Sequence, residues 1–316
     1  MVATFIGGLL GFYFWRTRSI RQRNLELHRE VASQTNELRQ INEELQQTSE
    51  EVSRQNNEIQ KIYDELTDSI HAAEVIQKAI LPGKDLLEEY FGSIEIFYKP
   101  KDVVSGDFYW CAQIENRYFL AVVDCTGHGV AGAFMTFIAY ETLNQVLREN
   151  QHLNAGQIVS QLNQEILSSM NRYQSGKVNA GMDVSLCILD KDKNVLEFAG
   201  ANNPLYLIRQ DEILVYKGDK QGIGGKQKSE NYQFETHSVL LQKNDQLYIF
   251  SDGYADQIGG ENRNEKYMYP RFRDKLLKIR ELKIHKRIST LENEFENWRN
   301  GYEQLDDVLV VGFEIK

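Results

Sequence analysis

The stretch "AVVDCTGHG", residues 121–129, decides how the rest of the chain is interpreted. Apolar residues run directly into Asp124, and the chain then turns through Thr126, Gly127 and His128. This pattern predicts a buried strand that ends at a carboxylate. Burying a carboxylate is costly unless an opposite charge compensates it. The sequence therefore predicts a compensating group, most simply a cation, beside Asp124.

Other carboxylates occupy comparable positions along the chain. Asp107 follows a glycine in "VVSGDFYW", Asp252 ends the run "LYIFSD", and Asp306 and Asp307 precede "VLVV". An aspartate beside glycine is usually a turn former, so each position alone means little. Together, hard oxygen donors without a nearby histidine or thiolate cluster favour Mg²⁺ or Mn²⁺ over zinc or copper. Two such ions can activate a bridging water for phosphoryl transfer.

The composition excludes several classes of protein. The 316 residues include 46 acidic and 36 basic side chains, which gives a formal net charge of −10. Nucleic acid is therefore not expected as a partner, because binding its backbone requires a basic face. Cys111, Cys125 and Cys187 form no CxxC pair, and we expect free thiols in a reducing compartment.

The first segment, residues 1–15, is expected to be part of a transmembrane helix. Residues 2–15 are uncharged and mostly apolar, but as a helix they reach only about 21 Å, short of the roughly 30 Å hydrocarbon core. Arginines follow, which predicts a cytoplasmic flank. We expect the helix to start before this chain and to lie in the bacterial inner membrane, with the catalytic domain in the cytoplasm. An interfacial or buried helix is the alternative.

Residues 16–82 are expected to form a cytoplasmic signalling helix and linker. Apolar residues occupy every d position of a heptad from about Leu27 to Ile80, whereas the a positions alternate between apolar and polar. This pattern predicts a coiled coil, most simply a parallel homodimer, that ends at Pro82 and Gly83. The coiled coil is either a rigid spacer or a signalling helix that shifts between two packings.

Residues 83–316 are expected to form a mixed α/β (α+β) domain. Strands that follow one another without an intervening helix favour antiparallel sheets over a Rossmann fold. Asn154 with Gln157 predicts a capping box at the start of a helix. The strand-like runs are residues 93–100, 117–124, 184–190, 195–201, 204–209, 212–216, 245–252 and 307–315. The helical patterns are residues 130–149, 154–173, 270–281 and 284–299.

The motifs as a set resemble a known enzyme family. The runs "VVSGDFYW", "VVDCTGHGVAGAFMT", "AGANNPLYLI", "YIFSDGYADQ" and "DDVLVV" are similar to those of the metal-dependent protein phosphatases (PPM, or protein phosphatase 2C), more narrowly the SpoIIE-like, RsbU-type bacterial branch. The run "AAEVIQKAILP", residues 72–82, resembles the helix that leads into the catalytic domain of that branch. The resemblance implies an αββα sandwich of two antiparallel sheets flanked by helices, here preceded by a long coiled-coil helix. It also implies hydrolysis of phosphoserine or phosphothreonine with two Mn²⁺ or Mg²⁺ ions.

The resemblance further implies the metal ligands. Asp124 would bridge both ions. Asp107 and the backbone carbonyl of Cys125 would bind one ion, and Asp252 and Asp306 would bind the other.

Other residues have less defined roles in this resemblance. Asp307 would orient its neighbours, and His128 would either form the turn into the next helix or protonate the leaving alkoxide. Asp183 is either a turn residue or an extra group that contacts a third metal or the substrate. Lys99 or Lys101 is a candidate for binding the substrate phosphate.

Two polar loops, residues 217–231 and 256–269, are each either a substrate-facing flap or a solvated loop. The first has four lysines and four glycines, with no apolar period.

The leading hypothesis is a membrane-tethered serine/threonine phosphatase, regulated through its coiled coil, that acts on a phosphorylated protein of the anti-sigma-factor-antagonist type. One alternative is a catalytically silent phosphatase-like domain that only binds partners, although all the implied metal-binding aspartates are present. The other is a sensor histidine kinase, with His28 and His71 on the long helix, although the chain lacks an asparagine-rich nucleotide box.

Overall fold

The computed structural model describes residues 2–172, 180–229, 231–260 and 265–316. Tyr173, the predicted end of the second helix, lies outside the described residues, as do parts of both polar loops. The elements in chain order are α1 (Val2–Ile80), α2 (Lys84–Phe91), β1 (Ser93–Lys99), β2 (Asp107–Ile114), β3 (Arg117–Cys125), α3 (Gly129–Glu149), α4 (Ala155–Arg172), β4 (Gly181–Asp190), β5 (Val195–Ala201), β6 (Leu205–Arg209), β7 (Glu212–Tyr216), β8 (Ile223–Gly224), β9 (His237–Leu240), β10 (Gln246–Phe250), α5 (Gly253–Asp256), β11 (Ile258–Gly259), β12 (Glu265–Lys266), α6 (Met268–Ile279), α7 (Ile284–Arg299) and β13 (Val308–Glu314).

The chain divides into two compact units, residues 1–68 and 69–316. Two antiparallel sheets form the centre of the second unit. The first sheet has the strand order β1-β13-β10-β6-β7, and the second has the order β2-β3-β4-β5-β9 with β8 paired to β4. The antiparallel sheets that the sequence predicted are therefore confirmed. The strand β2 and the short strands β8, β9, β11 and β12 were not among the predicted strand runs.

Alternation along β3 explains how the layers assemble. Leu120 and Val122 belong to the apolar cluster between the two sheets. Phe119, Ala121 and Val123 point to the opposite face and belong to the cluster formed with α3 and α4. Successive side chains of a strand point to opposite faces of a sheet, so a strand buried on both sides reads as one apolar run.

The outer face of the first sheet is covered in the same way by α6 and α7. Tyr248, Phe250 and Val310 of the sheet share a cluster with Phe272 of α6 and Leu291 of α7. The order of layers is thus helices, sheet, sheet, helices, and the predicted αββα sandwich is confirmed. The capping box is also confirmed, with reciprocal hydrogen bonds between Asn154 and Gln157 of 2.9 and 3.0 Å.

Helix α1 runs without a break and ends before Pro82, as predicted. Its last turns, from Ser69 onward, belong to the second unit, although the sequence assigned them to the coiled coil and linker. Among residues 2–172, 180–229, 231–260 and 265–316, no helix has a stretch both long and apolar enough to cross a membrane.

Candidate active site

Three aspartates lie side by side on neighbouring strands of the second sheet. Asp107 of β2 is paired with Asp124 of β3, and Asp124 is paired in turn with Asp183 of β4. Residues paired in this way have Cβ atoms about 4.5–5.5 Å apart on one face of the sheet. Asp183 therefore lies within a strand, so the prediction that it is a turn residue is wrong. We call these three residues the carboxylate row.

The row faces the layer between the sheets. Val123 points to the helices, so alternation directs the side chain of Asp124 to the opposite face, between the two sheets. The carboxylate that the sequence placed at the end of an apolar strand thus lies at one end of the sandwich.

The first sheet brings further carboxylates to the same place. Asp252 follows β10, and Asp306 and Asp307 precede β13, the antiparallel neighbour of β10. These segments approach closely, since a Cβ atom at Gly253 would lie 1.9 Å from the carbonyl oxygen of Asp307. Asp252 lies close enough to Asp124 for its charge to raise the pKa of that carboxyl. Each of the two sheets therefore contributes carboxylates to the site.

These carboxylates repel one another where water is scarce. Burial and the nearby Asp124 raise the pKa of Asp107 well above its usual range. Burial, with Asp252 and Asp183, raises the pKa of Asp124 in the same direction. Burial and the neighbouring Asp256 raise the pKa of Asp252 to about 6. A cation among these groups would remove the cost of keeping them charged.

The donors fit divalent cations that prefer oxygen ligands. The side chain of Asp107 is 2% exposed, and its Oδ2 atom has no hydrogen-bond partner among the described residues. Buried polar atoms are rarely left unpaired, so Oδ2 is an open ligand position. The side chain of Asp252, which precedes the short helix α5, makes no capping hydrogen bond. Its carboxylate is therefore not used as a cap.

The spacing of the carboxylates bears on how they could bind a metal ion. Within the part of the chain that the structure describes, no three His, Cys, Asp or Glu side chains converge enough to enclose a metal ion as they stand. The residues that would hold the ions are those implied by the resemblance: Asp107, Asp124, the carbonyl of Cys125, Asp252 and Asp306.

Asp307 fixes the loop that precedes Asp107. Its Oδ1 atom accepts a hydrogen bond from the backbone N–H of Lys101 and its Oδ2 atom accepts one from that of Gly106, both at 2.7 Å. The N–H of Cys125 donates to the carbonyl of Gly106 at 3.1 Å. These bonds agree with the orienting role predicted for Asp307, because they tie the segment of Asp107 to both sheets.

The turn after β3 positions His128 at the site's rim. His128 precedes the first residue of α3 and makes no side-chain capping bond. Its Nδ1 atom instead lies 2.7 Å from Oδ2 of Asp102, a partner that the sequence analysis missed. Gly129 has φ +65°, and a Cβ atom there would lie 3.0 Å from the same oxygen. The turn position of His128 is thus observed, and its role as a proton donor stays a prediction.

The two lysines suggested for phosphate binding have other contacts. Lys99 forms an ion pair with Glu296 of α7, and the backbone of Lys101 is held by Asp307. The thiol of Cys125 is buried, and burial raises its pKa well above the usual range. Only the carbonyl of Cys125 is therefore suited to binding a cation.

The end of α1 contacts the same loop. Gln77 is 3% exposed, and its Nε2 atom donates to the carbonyl of Ser105 at 2.7 Å and to Oγ1 of Thr136 at 3.1 Å. The N–H of Ser105 donates back to Oε1 of Gln77 at 2.9 Å. The hydroxyl of Ser105 then accepts a hydrogen bond from the N–H of Asp107 at 3.0 Å. A short chain of hydrogen bonds therefore joins the helix to an implied metal ligand.

Comparison with known proteins shows which proteins this chain resembles. The model of the family described as stage II sporulation protein E (SpoIIE) matches residues 114–316. Phosphoserine phosphatase RsbU of Bacillus subtilis (strain 168) is 25% identical over 203 residues, which cover 62% of this chain and 56% of RsbU. The chain thus matches little more than half the length of that relative.

Solved structures with a similar fold belong to related phosphatases. The SiaA-PP2C domain of Pseudomonas aeruginosa has a TM-score of 0.73 and 28% identity, with coverage of 80% of this chain and 98% of that domain. The PP2C phosphatase domain with a regulatory fragment of SpoIIE from Bacillus subtilis has a TM-score of 0.56 and 19% identity, with coverage of 71% of this chain and 61% of that one. The second likeness supports the fold alone.

Proposed function

This chain belongs to the SpoIIE family, and we propose that it is a metal-dependent protein phosphatase that acts on phosphoserine or phosphothreonine. The observation that carries the proposal is the carboxylate row, completed by Asp252 and Asp306 from the other sheet, with one buried oxygen of Asp107 left unpaired. Two Mn²⁺ or Mg²⁺ ions bound there would activate a water and neutralise charge on the phosphoryl group.

Residues of this chain hold the segments that carry the implied metal ligands in position. Asp124 of one sheet lies close to Asp252, which follows β10 of the other sheet. Asp307 and Gln77 fix the loop from Lys101 to Gly106. Such preorganised donors retain their geometry when charge develops on the substrate.

The test is hydrolysis of p-nitrophenyl phosphate and of a phosphoserine peptide by the full chain, with Mn²⁺, with Mg²⁺ and with a chelator. We expect turnover of both substrates with metal and none with chelator. A folded protein that binds Mn²⁺ but hydrolyses neither substrate would contradict the proposal and favour the silent binding domain.

For the substrate, we propose a phosphorylated signalling protein of the anti-sigma-factor-antagonist type. This part rests on the family resemblance, and RsbU is a phosphoserine phosphatase by name. Mass spectrometry of phosphoproteins in cells with and without the active protein would identify the substrate. Loss of phosphate from proteins of an unrelated class alone would overturn this part.

We also propose that α1 pairs with a second copy of the chain and attaches the protein to the bacterial inner membrane. The d residues Leu38, Leu45 and Ile59 are 60–64% exposed in the single chain, and a coiled coil would cover them. Apolar side chains from Phe5 to Trp15 are likewise exposed. In this proposal the catalytic domain lies in the cytoplasm.

We propose that this helix regulates the site through Gln77. Replacing Gln77 with Ala removes its bonds to the backbone of Ser105 and leaves buried groups unpaired, a loss of about 1–3 kcal/mol. We expect Gln77→Ala to lower metal-dependent turnover about tenfold, since 1.4 kcal/mol corresponds to that factor, and to raise the metal concentration needed for half-maximal activity. The measurement is turnover as a function of Mn²⁺ concentration.

Gln46→Ala is the matched control, because Gln46 is exposed on the same helix and bonds only to Glu50 among the described residues. If a chain that begins at Gly83 had the same activity and metal affinity as the full chain, the regulatory proposal would fail.

A further inference from the structure

The basic loop, residues 217–229, lies against the carboxylate row. A Cβ atom at Gly222 would lie 3.1 Å from Oδ1 of Asp183. Just beyond it, Gly224 is paired with Gly181, and Ile223 with the residue next to Asp183. The absence of a side chain at Gly222 therefore lets the loop approach the end of the row.

Buried amides hold the loop on α4. Asn163 is 1% exposed, and its side chain accepts from the N–H of Gly224 and donates to Oε1 of Gln227, both at 2.9 Å. Gln221 is 4% exposed, and its Oε1 atom accepts from the N–H of Lys228 at 3.0 Å. Residues 221–225 are thus buried or half-buried, whereas Lys226 and Lys228 are exposed, so a solvated loop describes only part of this segment. Glu230 lies outside the described residues.

A second set of bonds connects the loop to the turn after β5. The N–H of Asn202 donates to the carbonyl of Asp219, and the N–H of Asp219 donates to the carbonyl of Gly200, both at 2.8 Å. The side chain of Asn202 donates to Oδ1 of Asp183 at 2.7 Å. Asn202 has φ +61°, a conformation that side chains other than glycine adopt at some cost and that is often found at functional sites. Hydrogen bonds thus connect the basic loop, the turn after β5 and the carboxylate row.

The loop's charge is opposite to that of the molecule. The segment of residues 217–231 has four lysines against Asp219 and Glu230, a net charge of +2 (4 − 2), in a chain of net charge −10. Lys217, Lys220 and Lys226 are exposed, and the ammonium of Lys228 contacts the carbonyl of Lys220. The chain therefore presents a basic surface, held by these hydrogen bonds, beside the carboxylate row.

We propose that the basic loop is a docking surface for acidic residues that flank the phosphoserine of the protein substrate. This inference rests on the proposed phosphatase function. A phosphoprotein that approaches the aspartates of the site is repelled by them until metals neutralise their charge. A basic surface next to the site attracts the acidic flank, and such complementarity raises the association rate and selects among partners. Because the loop is already fixed, little ordering is required on binding.

The test compares Lys220→Glu/Lys226→Glu with Lys243→Glu/Lys283→Glu in the full chain. Both double variants change the charge equally at exposed lysines, but Lys243 precedes β10 whereas Asp252 follows that strand, so the control lies toward the other end of the sheet. The substrates are a phosphoserine peptide with acidic flanks, the same peptide with neutral flanks, and p-nitrophenyl phosphate.

We expect the loop variant to lower kcat/KM for the acidic peptide, relative to p-nitrophenyl phosphate, by about tenfold at low salt, mainly through KM, and expect added salt to reduce the difference. The control variant should match the unmodified chain. Equal losses on the acidic and neutral peptides, or equal losses in both double variants, would overturn the inference.

A binding measurement separates this inference from the proposed function. Fluorescence anisotropy is measured with the same variants and with Mn²⁺ present, using a labelled acidic peptide that carries a non-hydrolysable phosphonate analogue of phosphoserine. Weaker binding in the loop variant supports docking even if the unmodified chain proves to hydrolyse no phosphoester. If the unmodified chain hydrolyses the substrates but the loop variant binds the peptide as well as the unmodified chain does, the docking proposal is wrong and the proposed phosphatase function still holds.

Discussion

Asp124→Asn is expected to lower metal-dependent hydrolysis by at least about a thousandfold, because a metal contributes several kcal/mol of charge stabilisation and each 1.4 kcal/mol is about tenfold. The same change is expected to make the metal-free protein more stable. Asp124 is paired with Asp107 on one side and Asp183 on the other, and removal of its charge relieves repulsion on both sides. We expect the free energy of unfolding without metal to rise by about 1 kcal/mol.

Two measurements check this pair of opposite effects: hydrolysis of p-nitrophenyl phosphate with Mn²⁺, and urea unfolding with and without Mn²⁺. The unmodified chain should be stabilised by Mn²⁺, and the variant should not. Asp190→Asn is a suitable control, because Asp190 lies at the other end of β4 and forms an ion pair with Lys193 at 2.6 Å. A variant that is inactive yet stabilised by Mn²⁺ as much as the unmodified chain would show that Asp124 is not a ligand.

Gly253→Ala is expected to have the largest effect on stability. The added Cβ atom would lie 1.9 Å from the carbonyl oxygen of Asp307 and 3.4 Å from Cβ of Asp306, so the backbone must move. Overpacking of this kind costs about 1–3 kcal/mol, and we expect the upper end of that range because the contact is with backbone. The shift separates Asp252 from Asp306, and a displacement of about 1 Å at a catalytic group can cost a hundredfold in rate.

Thermal unfolding and a Mn²⁺ titration of activity measure the two consequences. Gly83→Ala is the matched control, since a Cβ atom at Gly83 meets nothing within 4 Å and its φ of −67° suits alanine. We expect the control to retain both stability and metal affinity. If Gly253→Ala behaved like the control, the close approach of the start of α5 to the segment before β13 would not be what holds these ligands together.

The fold could be predicted largely because its strands are buried on both faces. The apolar run of β3 and the uninterrupted series of later strands indicated antiparallel sheets covered by helices, and helix boundaries agree within two residues. The short strands β8, β9, β11 and β12 were missed, since two to four residues carry too little periodicity to distinguish a strand from a loop. The longer strand β2 was also absent from the predicted runs.

The ligand candidates could be predicted because each stands where an apolar strand meets a turn. Their partners could not, because they depend on which strands lie side by side. Asp183 was interpreted as a turn residue, and only its pairing with Asp124 places it in the row. Gln77 falls at a b position of the heptad, where solvent exposure is expected, yet it is buried against Ser105. Asp102 lies five residues before Asp107, with no motif to connect it to His128.

The position of β13 has a consequence for how the enzyme is made. β13 follows every other strand in the chain, yet it lies between β1 and β10 in the first sheet, and Asp306 stands just before it. A growing polypeptide that has not reached this strand has a gap in the sheet and lacks Asp306. Phosphatase activity is therefore expected to arise only after β13 is inserted. Prematurely terminated translation products should therefore be inactive in the p-nitrophenyl phosphate assay.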